Sequence, residues 1–333
     1  MSQHTEPKPA NQGQRILRLL PWLLKLGFST CLVWYLLGGI GGNQVVEHAL
    51  VISPWILCLA LGLILLQASL AGIRWSLVVS AIGHKLSYSN AISITFVSLF
   101  FNQFLPASVG GDAVRMWQSK KAGLPLTSAV TSVMLERFGS LLSVAALSVV
   151  MLPVLAKHHQ SQFMSQGTIL VAVAGLAALG VLMYLDRLPS KWRRWRVIRG
   201  VGQLARDTRA LFMRPQHAGY MILTALSGQI LLASAVFALA QGMGLSIGFF
   251  DCLAIMPAVV LVSSLPISVA GWGVRELAMV TAFGIVGITS EAAMALSVVL
   301  ALTGTVASLP GGLLFAAFKL KGSSSAKNCR HAG

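Results

Sequence analysis

The sequence predicts an all-α, polytopic integral membrane protein with about six full spans plus two re-entrant helical hairpins in an inverted repeat. Three observations carry that expectation. Of 333 residues, 56% are hydrophobic and 10% are charged, with a mean hydropathy of +0.77, whereas ordinary soluble domains carry about 25% charged residues. Apolar stretches of roughly 20 residues, the length that crosses a bilayer, recur along the whole chain. Finally, one motif occurs twice at a spacing of 160 residues, which is the mark of an internally repeated transporter-like architecture.

In chain order, residues 1–14 form a polar N-terminal tail, and residues 15–320 read as a single transmembrane domain. The apolar run at 19–39 is long for a signal h-region and lacks a small-x-small cleavage site, so it reads as an uncleaved first span. Further spans centre near 50–72, 124–152, 167–185, 218–241 and 291–318. The runs 91–105 and 252–267 are shorter and each stops at a Leu-Pro, which predicts re-entrant segments. The alternative is eight or more full transmembrane helices. Repeat 1 covers about 50–152 and repeat 2 about 218–318, and the Ser-rich end, 321–333, is expected to be a disordered tail.

The net charge of +16 is distributed as a topology signal, so no nucleic-acid partner is expected. With both termini cytoplasmic, every Lys and Arg except Lys157, Arg115, Arg137 and Arg275 falls on or near the inner side. The expected location is a bacterial inner (cytoplasmic) membrane. Following the charges, the hairpin around 91–121 starts and returns inside, whereas the one around 252–287 starts from an uncharged outer segment. The copies are therefore antiparallel. Between them, the basic loop 186–216 interleaves Lys191, Arg193, Arg194, Arg196 and Arg199 with Trp192 and Trp195. That composition suits a helix on an anionic leaflet or a solvated linker enforcing topology.

The repeated motif is Leu105-Pro-Ala-Ser-Val-Gly-Gly-Asp-Ala-Val-Arg115 and Leu265-Pro-Ile-Ser-Val-Ala-Gly-Trp-Gly-Val-Arg275. Pro106 and Pro266 stop the incoming helix by removing a donor and crowding the preceding turn. Ser108, Gly110 and Gly111, and Ser268, Gly271 and Gly273, permit close backbone approach and leave amide N–H groups free. A helix starting there aims its positive end inward, and Arg115 or Arg275 follows one to two turns later. Guanidinium holds its charge and grips phosphate with two donors, so the pattern predicts an anion-receiving site. The competing reading pairs the arginines with Asp112, Glu276 or Glu136 as structural ion pairs.

Glu136-Arg137 interrupts a span about halfway along, and two ions there are expected to line the same central space or to pack as a fixed pair. Repeat 2 has no charged pair at that depth. Asn102 and Gln103 precede the first Leu-Pro and could contact a head group or satisfy broken backbone bonds. His158 and His159 lack further ligands and Cys31, Cys58, Cys252 and Cys329 lack metal spacing, so no metal and no cofactor are expected. The usual signatures of phosphate-cradling loops, zinc proteases and serine nucleophiles are missing from the sequence, and no enzyme activity is expected.

These motifs, with Glu136-Arg137, Arg275-Glu276 and Leu309-Pro-Gly-Gly312, resemble the transmembrane region of lysylphosphatidylglycerol synthases, the flippase-like domain family, over roughly residues 15–320. In full-length synthases that region is thought to translocate aminoacylated lipid while a separate cytosolic domain performs the transfer from tRNA. Here the chain ends soon after its last span, so a stand-alone member without that domain is expected. The resemblance implies functional roles for Gly110, Gly111, Asp112, Arg115, Glu136, Arg137, Gly271, Gly273, Arg275 and Glu276. The expected function is translocation of an anionic phospholipid or a polyprenyl-phosphate-linked lipid, with membrane lipids as partners. The alternatives are a non-catalytic membrane partner of a glycosyl- or aminoacyl-lipid enzyme and, behind it, an intramembrane lipid-modifying enzyme with Glu136 as acid or base. Homo-oligomerisation is left open by the sequence.

Overall fold

The computed structural model describes residues 47, 49–104, 110–155, 196–264 and 273–328. The expected spans at 19–39 and 167–185, His158 and His159, the start of the basic loop, and the turns bearing Pro106, Ser108, Pro266, Ser268 and Gly271 lie outside those residues. The protein is all-helical among the described residues, and four helices are long and apolar enough to span: Pro54–Ala81, Leu126–Val154, Pro215–Gly242 and Ser290–Ala316. They coincide with four of the expected spans. The chain is a multi-pass membrane protein.

The first half comprises α1 (Pro54–Ala81), α2 (Tyr88–Phe104), α3 (Gly110–Lys121) and α4 (Leu126–Val150), followed by the single turn α5 (Leu152–Leu155). The amphipathic helix α6 (Arg196–Phe212) then packs against α4, α7 and α1. The second half comprises α7 (Pro215–Gly242), α8 (Phe249–Ser263), α9 (Val274–Gly284) and α10 (Ser290–Asn328). The runs that end in Leu-Pro form the paired short helices α2/α3 and α8/α9, each pair packed together. At 17 and 15 residues, α2 and α8 reach about 25 Å or less at 1.5 Å per residue.

Local chemistry repeats between the halves. Both α1 and α7 begin with proline in the first turn, where the missing N–H costs nothing. Glycines with positive φ end α1, α3, α7 and α9: Gly83, Gly123, Gly244 and Gly287. In each case the next residue's N–H reaches back five residues, as from His84 to Val79 and from Leu245 to Ala240, which closes the helix end in a Schellman cap.

Packing repeats as well. α1 meets α7 at the centre; α2 packs on α10 as α8 packs on α4, and α10 on α1 as α4 on α7. Yet the two halves differ in what they bury. The large apolar core lies in the second half, around Leu239, Ile255, Met279, Phe283, Met294 and Leu296. Smaller clusters form around Trp75, Ile94 and Val133 in the first half, and around Val78, Leu135 and Met221 where α1 and α4 meet α7.

Helix α2 is clasped by glycines on three neighbours. A Cβ on Gly72 of α1 would stand 2.7 Å from Ile92 Cα, one on Gly111 of α3 would stand 2.2 Å from Ser98 O, and one on Gly311 of α10 would stand 2.0 Å from Phe96 O. Backbones meet directly here, as small residues allow between helices in lipid, where apolar burial supplies no drive for helices to associate.

Helix α10 carries Pro310 inside without ending there and runs through Asn328.

Candidate functional site

Glu136, near the middle of α4, is the centre of the polar network. It is 4% exposed. Arg74 of α1 donates to Glu136 Oε1 from Nε at 3.0 Å and Nη2 at 2.6 Å, Arg115 of α3 donates from Nη1 to Oε2 at 3.1 Å, and Ser140 Oγ donates to Oε1 at 3.1 Å. One carboxylate therefore ties together α1, α3 and α4. The Arg115 guanidinium also stacks on Trp75, 4.1 Å from the ring centroid, and the Trp75 indole N–H is held by Ser132 Oγ at 3.2 Å. Arg115 Nε and Nη2 are buried without a partner among the described residues.

Arg137, adjacent in sequence, turns away. Its side chain is 51% exposed, and it grips Asp112 with two bonds, Nε to Oδ2 at 3.1 Å and Nη2 to Oδ1 at 2.8 Å. The expectation that Glu136 and Arg137 line one space is thus corrected, because successive residues on a helix point about 100° apart.

Arg275 does not join this cluster. It donates to Glu276 Oε1, and Glu276, fully buried, accepts the N–H of Gly273 and a 3.5 Å contact from Ser297. Gly273 has φ +89°, a conformation that glycine adopts without strain. The carboxylate thereby caps α9 at the second break, as a first-turn acid should. In the first break, Asn102 Oδ1 accepts the N–H of Gly111 at 3.0 Å, while Gln103 Nε2 donates to Thr305 of α10 at 3.2 Å.

A cavity of about 360 Å³ opens between the halves, lined from α1, α2, α4, α7 and α10. Its polar wall includes Gln67, Arg74, Asn102, Gln103, Ser140 and Gln229, with Gly228 and Gly304 where side chains would otherwise fill it. Pro54 and Pro215 start α1 and α7 at an offset of 161 residues. That offset also pairs Gln67 with Gly228 and Ala68 with Gln229, all four at the cavity. It pairs Arg74 with Ala235, which is fully buried in the apolar core. The cavity therefore lies where the halves meet, and its cation comes from one half only.

Neither Arg115 nor Arg275 lines this cavity; Arg74 does. By sequence Arg74 falls among the inner-side charges, just beyond the expected span at 50–72. A signal was present: the apolar run resumes at Trp75 and continues to Ala81, so the helix encloses Arg74. Gln67 precedes Arg74 by seven residues, two turns along the same face.

Cys252 is buried and Cys58 exposed, and among the described residues no cluster of His, Cys, Asp or Glu could hold a metal. No curated protein matches the chain. Residues 22–311 match the family described as the lysylphosphatidylglycerol synthase TM region, and on that extent of match the chain belongs to this membrane-embedded family, which is related to lipid handling.

Proposed function

We propose that the protein is a lipid translocase, not an enzyme, that moves an anionic lipid between leaflets through the cavity where its two halves meet. The single observation that carries this reading is a cavity with a guanidinium, Arg74, in its wall, enclosed by four helices long enough to span. A charge at such depth is costly unless it faces a wet cavity or a partner, and Arg74 has both. Arg74 receives the lipid phosphate, Glu136 aims it, and Arg115 together with Trp75 holds Glu136. The matched helix contacts support an inverted repeat whose halves rock about the α1–α7 contact. The charge distribution supports placement in an inner membrane with both termini cytoplasmic.

The test uses the purified chain in liposomes and the movement of a fluorescent anionic phospholipid. Arg74→Gln is expected to slow movement at least tenfold, the loss of one charge-assisted bond worth about 1.5–3 kcal/mol. Gly228→Leu, which fills the cavity beside Arg74 without removing a charged group, is expected to do the same. Gly228→Ala has room, since its Cβ would meet Arg74 Nη1 at 3.8 Å and Gln67 Cγ at 3.9 Å. Movement at the parent rate in both Arg74→Gln and Gly228→Leu would exclude this route.

A further inference from the structure

We propose that the cavity takes a phospholipid whose phosphate carries an uncharged, hydroxyl-rich head, such as a glycerol, another polyol or a sugar, and that it rejects an aminoacylated head. This inference names the substrate class of the cavity described above and rests on the lipid-handling reading of it.

The charged part of the site is small. Arg74 spends Nε and Nη2 on Glu136, and its remaining Nη1 lies beside Gly228. Nη1, with both of its N–H donors, is then left for an anionic oxygen, which suits a phosphodiester held at one corner.

The rest of the polar wall is neutral. Gln67 and Gln229 line the cavity and make no side-chain hydrogen bond among the described residues, and Gln229 Oε1 is buried with no donor. Asn102 has committed Oδ1 to Gly111, which leaves its amide N–H groups, whereas Gln103 has committed its own to Thr305. An amide offers both donor and acceptor, and a hydroxyl is the ligand group that answers both at one atom. The orphaned Gln229 oxygen calls specifically for a donor.

An ammonium could also donate there, but the electrostatics oppose it. No described residue lining the cavity is acidic. The nearest carboxylate, Glu136, is buried and already accepts from Arg74, Arg115 and Ser140. The guanidinium in the wall, Arg74, shares its carboxylate with Arg115, so a cationic head would meet a like charge and no counter-charge among the described lining residues.

Binding of four probes to the purified full-length chain in detergent tests the assignment. Phosphatidylglycerol is expected to bind at least tenfold tighter than phosphatidic acid, which lacks the hydroxyls, and than lysyl-phosphatidylglycerol, which adds the charge. Glycerol 3-phosphate, carrying the same polar groups without acyl chains, is expected to bind far more weakly than phosphatidylglycerol. The double variant Gln67→Leu/Gln229→Leu should bring phosphatidylglycerol down to the affinity of phosphatidic acid. Equal binding of phosphatidic acid and phosphatidylglycerol by the parent, or tightest binding of the lysyl lipid, overturns the head-group assignment while lipid handling stands. Glycerol 3-phosphate binding as tightly as phosphatidylglycerol makes the ligand a soluble phosphoester and overturns the lipid. Binding of none of the four removes both this inference and the proposed function. The parent's ranking decides the matter even if the double variant does not fold.

Discussion

Glu136→Gln is expected to be the most damaging single substitution on the network, lowering stability by about 3–5 kcal/mol, the usual cost of removing one partner from a buried ion pair. The reason is geometric. The carboxylate is the shared acceptor for Arg74, Arg115 and Ser140, with both arginine side chains largely buried at 11% and 5% exposure. An amide of the same shape keeps one acceptor oxygen but loses the charge and turns a donor toward one of the two cations. Thermal unfolding of the detergent-solubilised protein reads the effect directly. Because the three groups act as one unit, Glu136→Gln combined with Arg115→Gln should cost clearly less than the two single losses added. A melting temperature for Glu136→Gln equal to the parent's would mean the network contributes nothing to the fold.

Gly311→Ala is expected to rank next, although it adds a single methyl group. Its Cβ would stand 2.0 Å from Phe96 O and 2.4 Å from Phe96 C, both backbone atoms, so no side chain can swing aside. Overpacking costs about 1–3 kcal/mol where neighbours can shift; here α10 must separate from α2, and the upper end or beyond is expected. Gly111→Ala, meeting Ser98 O at 2.2 Å and Asn102 at 2.5 Å, should behave alike. Gly62→Ala and Gly219→Ala meet nothing within 4 Å and serve as controls. The measurement is the fraction of monodisperse protein recovered and its melting temperature. If Gly311→Ala and Gly62→Ala matched in both, direct backbone contact would not be what fastens α2.

These two sites explain how the motifs and the cavity are connected. The Leu-Pro-Gly-Gly at 309–312 does not break its helix; it places Gly311 against α2, the helix that leads toward the first repeated motif. Glu136 then fixes α3 and α1 around the same hairpin. Movement of one half against the other would have to carry α2 together with this rigid polar cluster.

Much of the architecture was legible in the sequence because hydropathy and helix-ending chemistry act locally. Apolar length marked the four described spans and the shorter apolar helices α2 and α8, and low charge with high hydropathy marked a membrane protein. The Pro and Gly positions that set helix ends recur in both halves, as the repeated motif led one to expect. The partners of each charge were not legible. Arg115, Arg137 and Arg275 occupy similar places in the pattern, yet one stacks on Trp75 beside Glu136, one grips Asp112 at an exposed position, and one joins the cap of α9. Spacing along the chain cannot rank them, because each partner's distance is set by how α1, α3, α4 and α9 are packed. For the cavity cation Arg74, the apolar run resuming at Trp75 shows that the helix encloses it, but only the packing of α1 against α4 and α7 decides that it turns inward to Glu136 and the cavity.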